Sequence, residues 1–179
     1  MKPKILSEKI VYQSSLTKII ATKVKMTNGK VVNWEYIDHA NGVGVLPIDK
    51  DGNVYLCKEW RPAWKDYVLQ IPAGTCIARD EKGRIKQVHN ELREEIGMDT
   101  KKIEKLASFM VSGKINYMPH VYLANDLFPS YKDPDEDEVL EVIKIPFDKA
   151  YERFVSGKIP TTSYTLIAFL MAKEKLFSN

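Results

Sequence analysis

Short apolar runs broken by turn residues fill the first third of the chain. Residues 17–26, TKIIATKVKM, and 30–39, KVVNWEYIDH, flank Thr27-Asn28-Gly29. Asn-Gly between such runs predicts a tight β-hairpin. GVGVLPI at 42–48 and NVYLCKEW at 53–60 flank Asp49-Lys50-Asp51-Gly52 and predict a second hairpin. YVLQIPAG at 67–74 reads as an apolar strand ended by Pro72 and Gly74. The period then changes. From about Arg84 to Ile96 the apolar residues Ile85, Val88, Leu92 and Ile96 fall within about 80° of one another at 100° per residue. That predicts a helix with one stripe on a sheet, stopped at Gly97. KLASFMV, HVYLAND and VLEVIKI predict further strands. Asp148 is positioned to cap a short helix, KAYERFVS, ended by Gly157, and Thr161 or Thr162 to cap a last helix running to about Leu176. This order, strands, one helix, strands, then helices, predicts an α+β fold or mixed αβα sandwich rather than a regular βαβ alternation.

Composition narrows the class of protein. At 179 residues, 44% hydrophobic and 28% charged, the chain is long enough for one domain with a real core. A formal net charge of +3, evenly spread, gives no reason to expect nucleic acid as a partner. The longest apolar run, LIAFLMA at 166–172, is far too short to span a bilayer. No secretory leader is read at the N-terminus. Cys57 and Cys76 form no CxxC pair, and the expectation is two thiols in a reducing cytoplasm. His39, His89 and His120 are scattered and are expected to be structural, because a metal site needs clustered ligands.

The helix carries the candidate chemistry. Glu91 and Glu95 are one turn apart and project together. They lie roughly 60–110° round from the apolar stripe, at the border of core and solvent. Crowded carboxylates there repel one another, and a divalent cation relieves that repulsion. The plain alternative is a solvated acidic helix face balanced by Lys86 and Arg93.

At this point the sequence resembles the Nudix hydrolase family, whose motif is G-x5-E-x7-R-E-U-x-E-E-x-G-U with U apolar. Residues 91–98, ELREEIGM, match the end of that motif at every specified position. LQIPAG resembles the entry to the box in ADP-ribose pyrophosphatases. GVGVLPIDKDGNVYLCKEWRP resembles that subfamily's hairpin ahead of the box, VYLANDL with DPDEDEVLEV its later strands and loop, and IPFDKAYERFVSGKI and TLIAFLMAKEKL its last two helices. The resemblance implies a Nudix fold at 40–179, with residues 1–39 an N-terminal β-hairpin region for dimerisation and substrate contact. It implies Mg²⁺-dependent hydrolysis, with Mn²⁺ as an alternative cation, of the diphosphate of a nucleoside diphosphate sugar such as ADP-ribose. The other function it allows is an impaired or inactive Nudix-fold nucleotide-binding module.

The resemblance also implies roles residue by residue. Glu91, Glu95 and the backbone carbonyl of Ala73 would hold the metal, and Glu94 would support or share it. Glu136, or next Glu138, in the acidic run DPDEDEVLEV would be the base. Arg61 would clamp a phosphate through its planar fork of donors. Trp34 would stack a base, and the VSGKINYMPH loop containing Gly113 would contact substrate. A homodimer, a cytoplasmic location and the absence of membrane or nucleic-acid partners complete the expectation.

The front of the box departs from the family. Asn90 stands where an Arg is expected, and Lys82 where the first Glu falls when counted back from the helix. Counted forward from Gly74 the box is two residues too long, which predicts an extended loop over 78–83, with Glu81 as a partial substitute acid.

Overall fold

The computed structural model describes residues 1–133 and 139–177. In chain order the strands are β1 (Lys4–Gln13), β2 (Thr17–Lys25), β3 (Val31–His39), β4 (Gly42–Pro47), β5 (Asn53–Arg61), β6 (Asp66–Gln70) and β7 (Ala73–Thr75). Helix α1 (Glu81–Ile96) follows, then β8 (Met98–Ser108), β9 (Ile115–Asn116), β10 (Pro119–Pro129) and β11 (Leu140–Pro146), then helices α2 (Phe147–Val155) and α3 (Ser163–Phe177). The chain divides into two compact units, residues 1–41 with 109–118, and residues 42–108 with 119–179.

The first unit is one sheet in the order β1-β2-β3-β9. The hairpin predicted at Asn28-Gly29 forms: β2 and β3 pair antiparallel with Thr22 opposite Trp34, and the turn is closed by Met26 N–H donating to the Lys30 carbonyl at 2.7 Å. Strand β1, which no turn signal announces, pairs antiparallel with β2 and is exposed along its whole length. β9 joins β3 in parallel, Ile37 opposite Ile115.

The second unit has two sheets, β7-β4-β10-β8 and β11-β5-β6. β4 runs parallel to β10 and is buried at all six positions. Period-2 alternation explains this. Val43 and Val45 pack in one cluster with Val88 and Leu92 of α1 and Tyr122 of β10. Gly44 faces the opposite way, against Ile71 and Tyr164 of α3. The sheet therefore lies between α1 and α3, and a strand buried on both faces reads as a continuous apolar run.

Three local expectations are corrected. The 42–60 segment turns as predicted, with Asp49 Oδ1 accepting from the N–H groups of Asp51 and Asn53 at 3.0 and 2.9 Å. It does not make a hairpin: only an Ile48–Val54 bridge joins the arms. β4 takes β10 and β7 as partners while β5 takes β11 and β6, so the long-range β4–β10 and β5–β11 ladders displace a local β4–β5 one. Helix α1 begins at Glu81, not Arg84, because Asp80 caps it by accepting from Gly83 N–H at 2.9 Å. This shortens the loop expected over 78–83. Asp148 does not cap α2; it lies within the first turn and pairs with Lys173 at 2.8 Å. At the other end of α1, Gly97 takes the left-handed conformation at φ +66° that favours glycine.

Candidate active site

Glu91 and Glu95 are each only 4% exposed, more buried than the border position the helical wheel suggests. The reason is β7. Its first two residues approach α1 so closely that both carboxylates meet them. Ala73 N–H donates to both oxygens of Glu95 at 3.3 Å. A Cβ added at Gly74 would lie 2.6 Å from the carboxylate carbon of Glu91. Glycine at 74 is thus a steric requirement of the Glu91 position. The thiol of Cys57, on β5, donates to Glu95 Oε2 at 3.1 Å. Gln87 Nε2, one helical turn before Glu91, donates to its Oε1 at 2.7 Å.

This donor set suits a small, hard divalent cation. Mg²⁺ is usually held by one or two carboxylates, with waters and substrate phosphates completing its shell. Among the described residues there is no cluster of three or more His, Cys, Asp or Glu side chains arranged to hold a metal. Any cation here would therefore rely on the helix pair plus oxygens from backbone, water or substrate. Glu94 is ion-paired with Lys132. Lys132 N–H and Ser130 N–H donate to the carbonyls of Arg93 and Gly97 at 3.2 and 3.0 Å, tying this segment to the end of α1. Glu136 and Glu138 lie outside the described residues.

The positions where the box departs have other partners. Asn90 Oδ1 accepts from Arg93 at 2.7 Å. Lys82 is exposed. Glu81 accepts from Tyr122 Oη at 2.9 Å and bridges Arg84 and Lys105 at 3.1 and 3.2 Å. Burial pushes the Glu81 carboxyl up, but hydrogen bonds from Tyr122, Lys105 and Arg84 outweigh it and hold it below the ordinary range. Glu81 is thus committed to a cationic cluster at the front of the helix.

Arg61 ends β5 with its guanidinium 2.8 Å from Glu59 Oε2. The same oxygen accepts from the fully buried Gln70 at 3.1 Å, and Gln70 in turn accepts from Tyr164 Oη at 3.0 Å. In the first unit, Trp34 and Gly113 line one open cavity of about 870 Å³ together with Asn33, Tyr36 and Asn116. The parallel β3–β9 pairing brings them together, reinforced by Ile37 N–H donating to the Lys114 carbonyl at 2.9 Å. Trp34 is 54% exposed.

Gln87, Cys57 and Glu59 were not anticipated. Gln87 was legible in principle, since residues i and i+4 on a helix are neighbours. Nothing in the sequence links Cys57 to Glu95, 38 positions away.

No family model matches the chain. Among curated proteins it is similar to the ADP-ribose pyrophosphatase of Bacillus subtilis (strain 168), 28% identical over a 183-residue alignment covering 98% of this chain and 96% of that protein. The ADP-ribose pyrophosphatase of Mycobacterium tuberculosis (strain ATCC 25618 / H37Rv) is 24% identical over 157 residues, 86% of this chain and 75% of its own. The GDP-mannose pyrophosphatase of Salmonella arizonae is 27% identical over 176 residues, 89% of this chain and 86% of its own. The crystal structure of an ADP compounds hydrolase superposes with a TM-score of 0.86 at 21% identity, covering 99% of this chain and 96% of that one. The fold is the mixed αβα sandwich of the Nudix hydrolases. Along nearly its whole length the chain resembles the ADP-ribose pyrophosphatase-like members of that family.

Proposed function

We propose that this protein is a Nudix pyrophosphohydrolase that cleaves the diphosphate of a nucleoside diphosphate sugar, such as ADP-ribose, in the presence of Mg²⁺ or Mn²⁺. The observation that carries the reading is the convergence of two nearly buried carboxylates, Glu91 and Glu95, on the backbone at Ala73 and Gly74. The pyrophosphatase relatives, ADP-ribose and GDP-mannose alike, support the substrate class.

In this reading Glu91, Glu95 and the Ala73 carbonyl hold the cation, with Glu94 supporting them. A bound divalent cation supplies Lewis-acid polarisation of the phosphoryl oxygens and a more acidic water. Arg61, pre-oriented by Glu59, presents two parallel N–H groups to a phosphate. Glu136, or next Glu138, takes the proton from the attacking water. The P–O–P bond breaks, the water oxygen ends on one phosphorus, and two phosphomonoesters leave. Trp34 stacks the base, with Gly113 leaving room beside it in the same cavity.

The active form is proposed to be a homodimer in the cytoplasm. Ile5, Ile10, Val11 and Tyr12 leave the edge strand β1 with exposed apolar side chains that a second chain would cover. Light scattering should give a dimer mass; a monomer mass at every concentration removes this part of the reading. Among the described residues no helix is long and apolar enough to cross a membrane.

The direct experiment is release of phosphomonoesters from a panel of nucleotide sugars, dinucleotides and NADH, with and without Mg²⁺. ADP-ribose should give AMP and ribose 5-phosphate, and Glu95→Gln should abolish most turnover. Asn90 and Lys82 favour one rival, a binding module on the same fold. That rival replaces the enzyme reading if the chain binds a member of the panel yet hydrolyses none at saturating metal.

A further inference from the structure

The residue before Glu91 is a poor candidate for orienting it. Asn90 is 100° round the helix from Glu91, and its side-chain oxygen accepts from Arg93. Arg93 is itself spread between the His89 carbonyl at 3.0 Å and Asp99 at 3.9 Å. The groups that do meet the carboxylates come from elsewhere. Gln87 sits one turn earlier on the same face and donates to Glu91 Oε1 at 2.7 Å. Cys57 reaches Glu95 Oε2 from β5 at 3.1 Å. Each bond restrains one oxygen of a long, rotatable side chain, beside the Ala73 N–H that meets both oxygens of Glu95.

We infer that the side-chain donors of Gln87 and Cys57, not the residue at position 90, hold Glu91 and Glu95 in the orientation a divalent cation requires. This rests on the reading of Glu91 and Glu95 as the metal pair. Gln87 and Cys57 are positioning residues: they act through the carboxylates. They give this chain a route to an ordered metal site in which no cation precedes Glu91. Gln87 contributes a short bond from a neutral amide. Cys57 contributes a weak S–H donor, strengthened by its burial.

The test is calorimetric titration of Mn²⁺ into the purified full chain and its variants, with thermal melts alongside. Gln87→Met keeps length and helix propensity but removes the donor, and should weaken Mn²⁺ binding by about tenfold, as removal of a ligand's hydrogen-bond partner does. Cys57→Val should weaken it similarly, whereas Cys57→Ser, which keeps a donor, should restore it. Asn90→Ala should stay within about twofold of the native chain, well inside the effect of losing such a partner. In turnover, Gln87→Met should raise the Mg²⁺ requirement while leaving substrate KM at saturating Mg²⁺ unchanged. If Gln87→Met and Cys57→Val bind Mn²⁺ as the native chain does, while Glu91→Gln with Glu95→Gln loses it, the positioning role is overturned and the metal site stands. If that double variant binds Mn²⁺ as tightly as the native chain, the metal reading fails and the positioning role fails with it.

Discussion

Gly74 and Glu91 share one space: a Cβ at residue 74 would come within 2.6 Å of the Glu91 carboxylate carbon. The atoms it would strike are the far end of a flexible side chain, not backbone. Gly74→Ala should therefore fold, with a melting temperature within a few degrees of native, because the carboxylate swings aside. The displaced carboxylate should cost roughly tenfold or more in Mn²⁺ affinity, the range seen when a ligand loses its orientation. Calorimetry beside a thermal melt checks both parts. A variant that melts far below the native chain would show instead that the helix, not the carboxylate, has moved.

Leu92 is fully buried between α1 and β4, in the cluster with Val43, Val45, Val88 and Tyr122. Leu92→Ala leaves a cavity that close-packed neighbours fill only in part. The expected loss is about 2–5 kcal/mol, a fall in Tm of roughly 5–15 °C for a chain of this size. Differential scanning calorimetry measures it directly.

His120 gives the fold a pH dependence. Burial, then Arg84 and Lys105, push its pKa below the ordinary histidine value, with Glu81 opposing in part. Ser108 Oγ is 2.7 Å from its Nδ1. A histidine whose folded pKa is depressed contributes stability that is fully present above its unfolded pKa of about 6.5. That contribution is lost as the pH falls through the folded value, since the unfolded chain takes up the proton first. The urea midpoint should therefore fall between pH 7 and pH 5, and His120→Asn should fall less over the same interval.

Trp34 tests the proposed base contact separately from the proposed metal pair. Trp34→Ala removes a half-exposed ring from the 870 Å³ cavity. Base–aromatic stacking is worth about 1–3 kcal/mol, so KM for a nucleotide sugar should rise about tenfold, at 1.4 kcal/mol per decade. Mn²⁺ affinity should be unchanged. An unaltered KM would remove Trp34 from the substrate site.

Local chemistry was readable along the chain wherever a short segment settles its own conformation. The Asn28-Gly29 turn, the αL stop at Gly97 and the 3.6-residue stripe of α1 each depend on residues within a few positions. The pairing of Glu91 with Glu95 is of this kind too, because a helix puts i and i+4 together whatever surrounds it. Non-local competition was not readable. The arms around Asp49–Gly52 look like a hairpin, yet they part because β4 gains two sheet neighbours and two buried faces by leaving β5. The short approach of β7 to α1, which turns a border position into a buried carboxylate site, likewise depends on packing between segments far apart in sequence. So does the thiol of Cys57 on Glu95. Spacing along the chain carries no record of such contacts, because they arise from the way whole sheets and helices exclude water together.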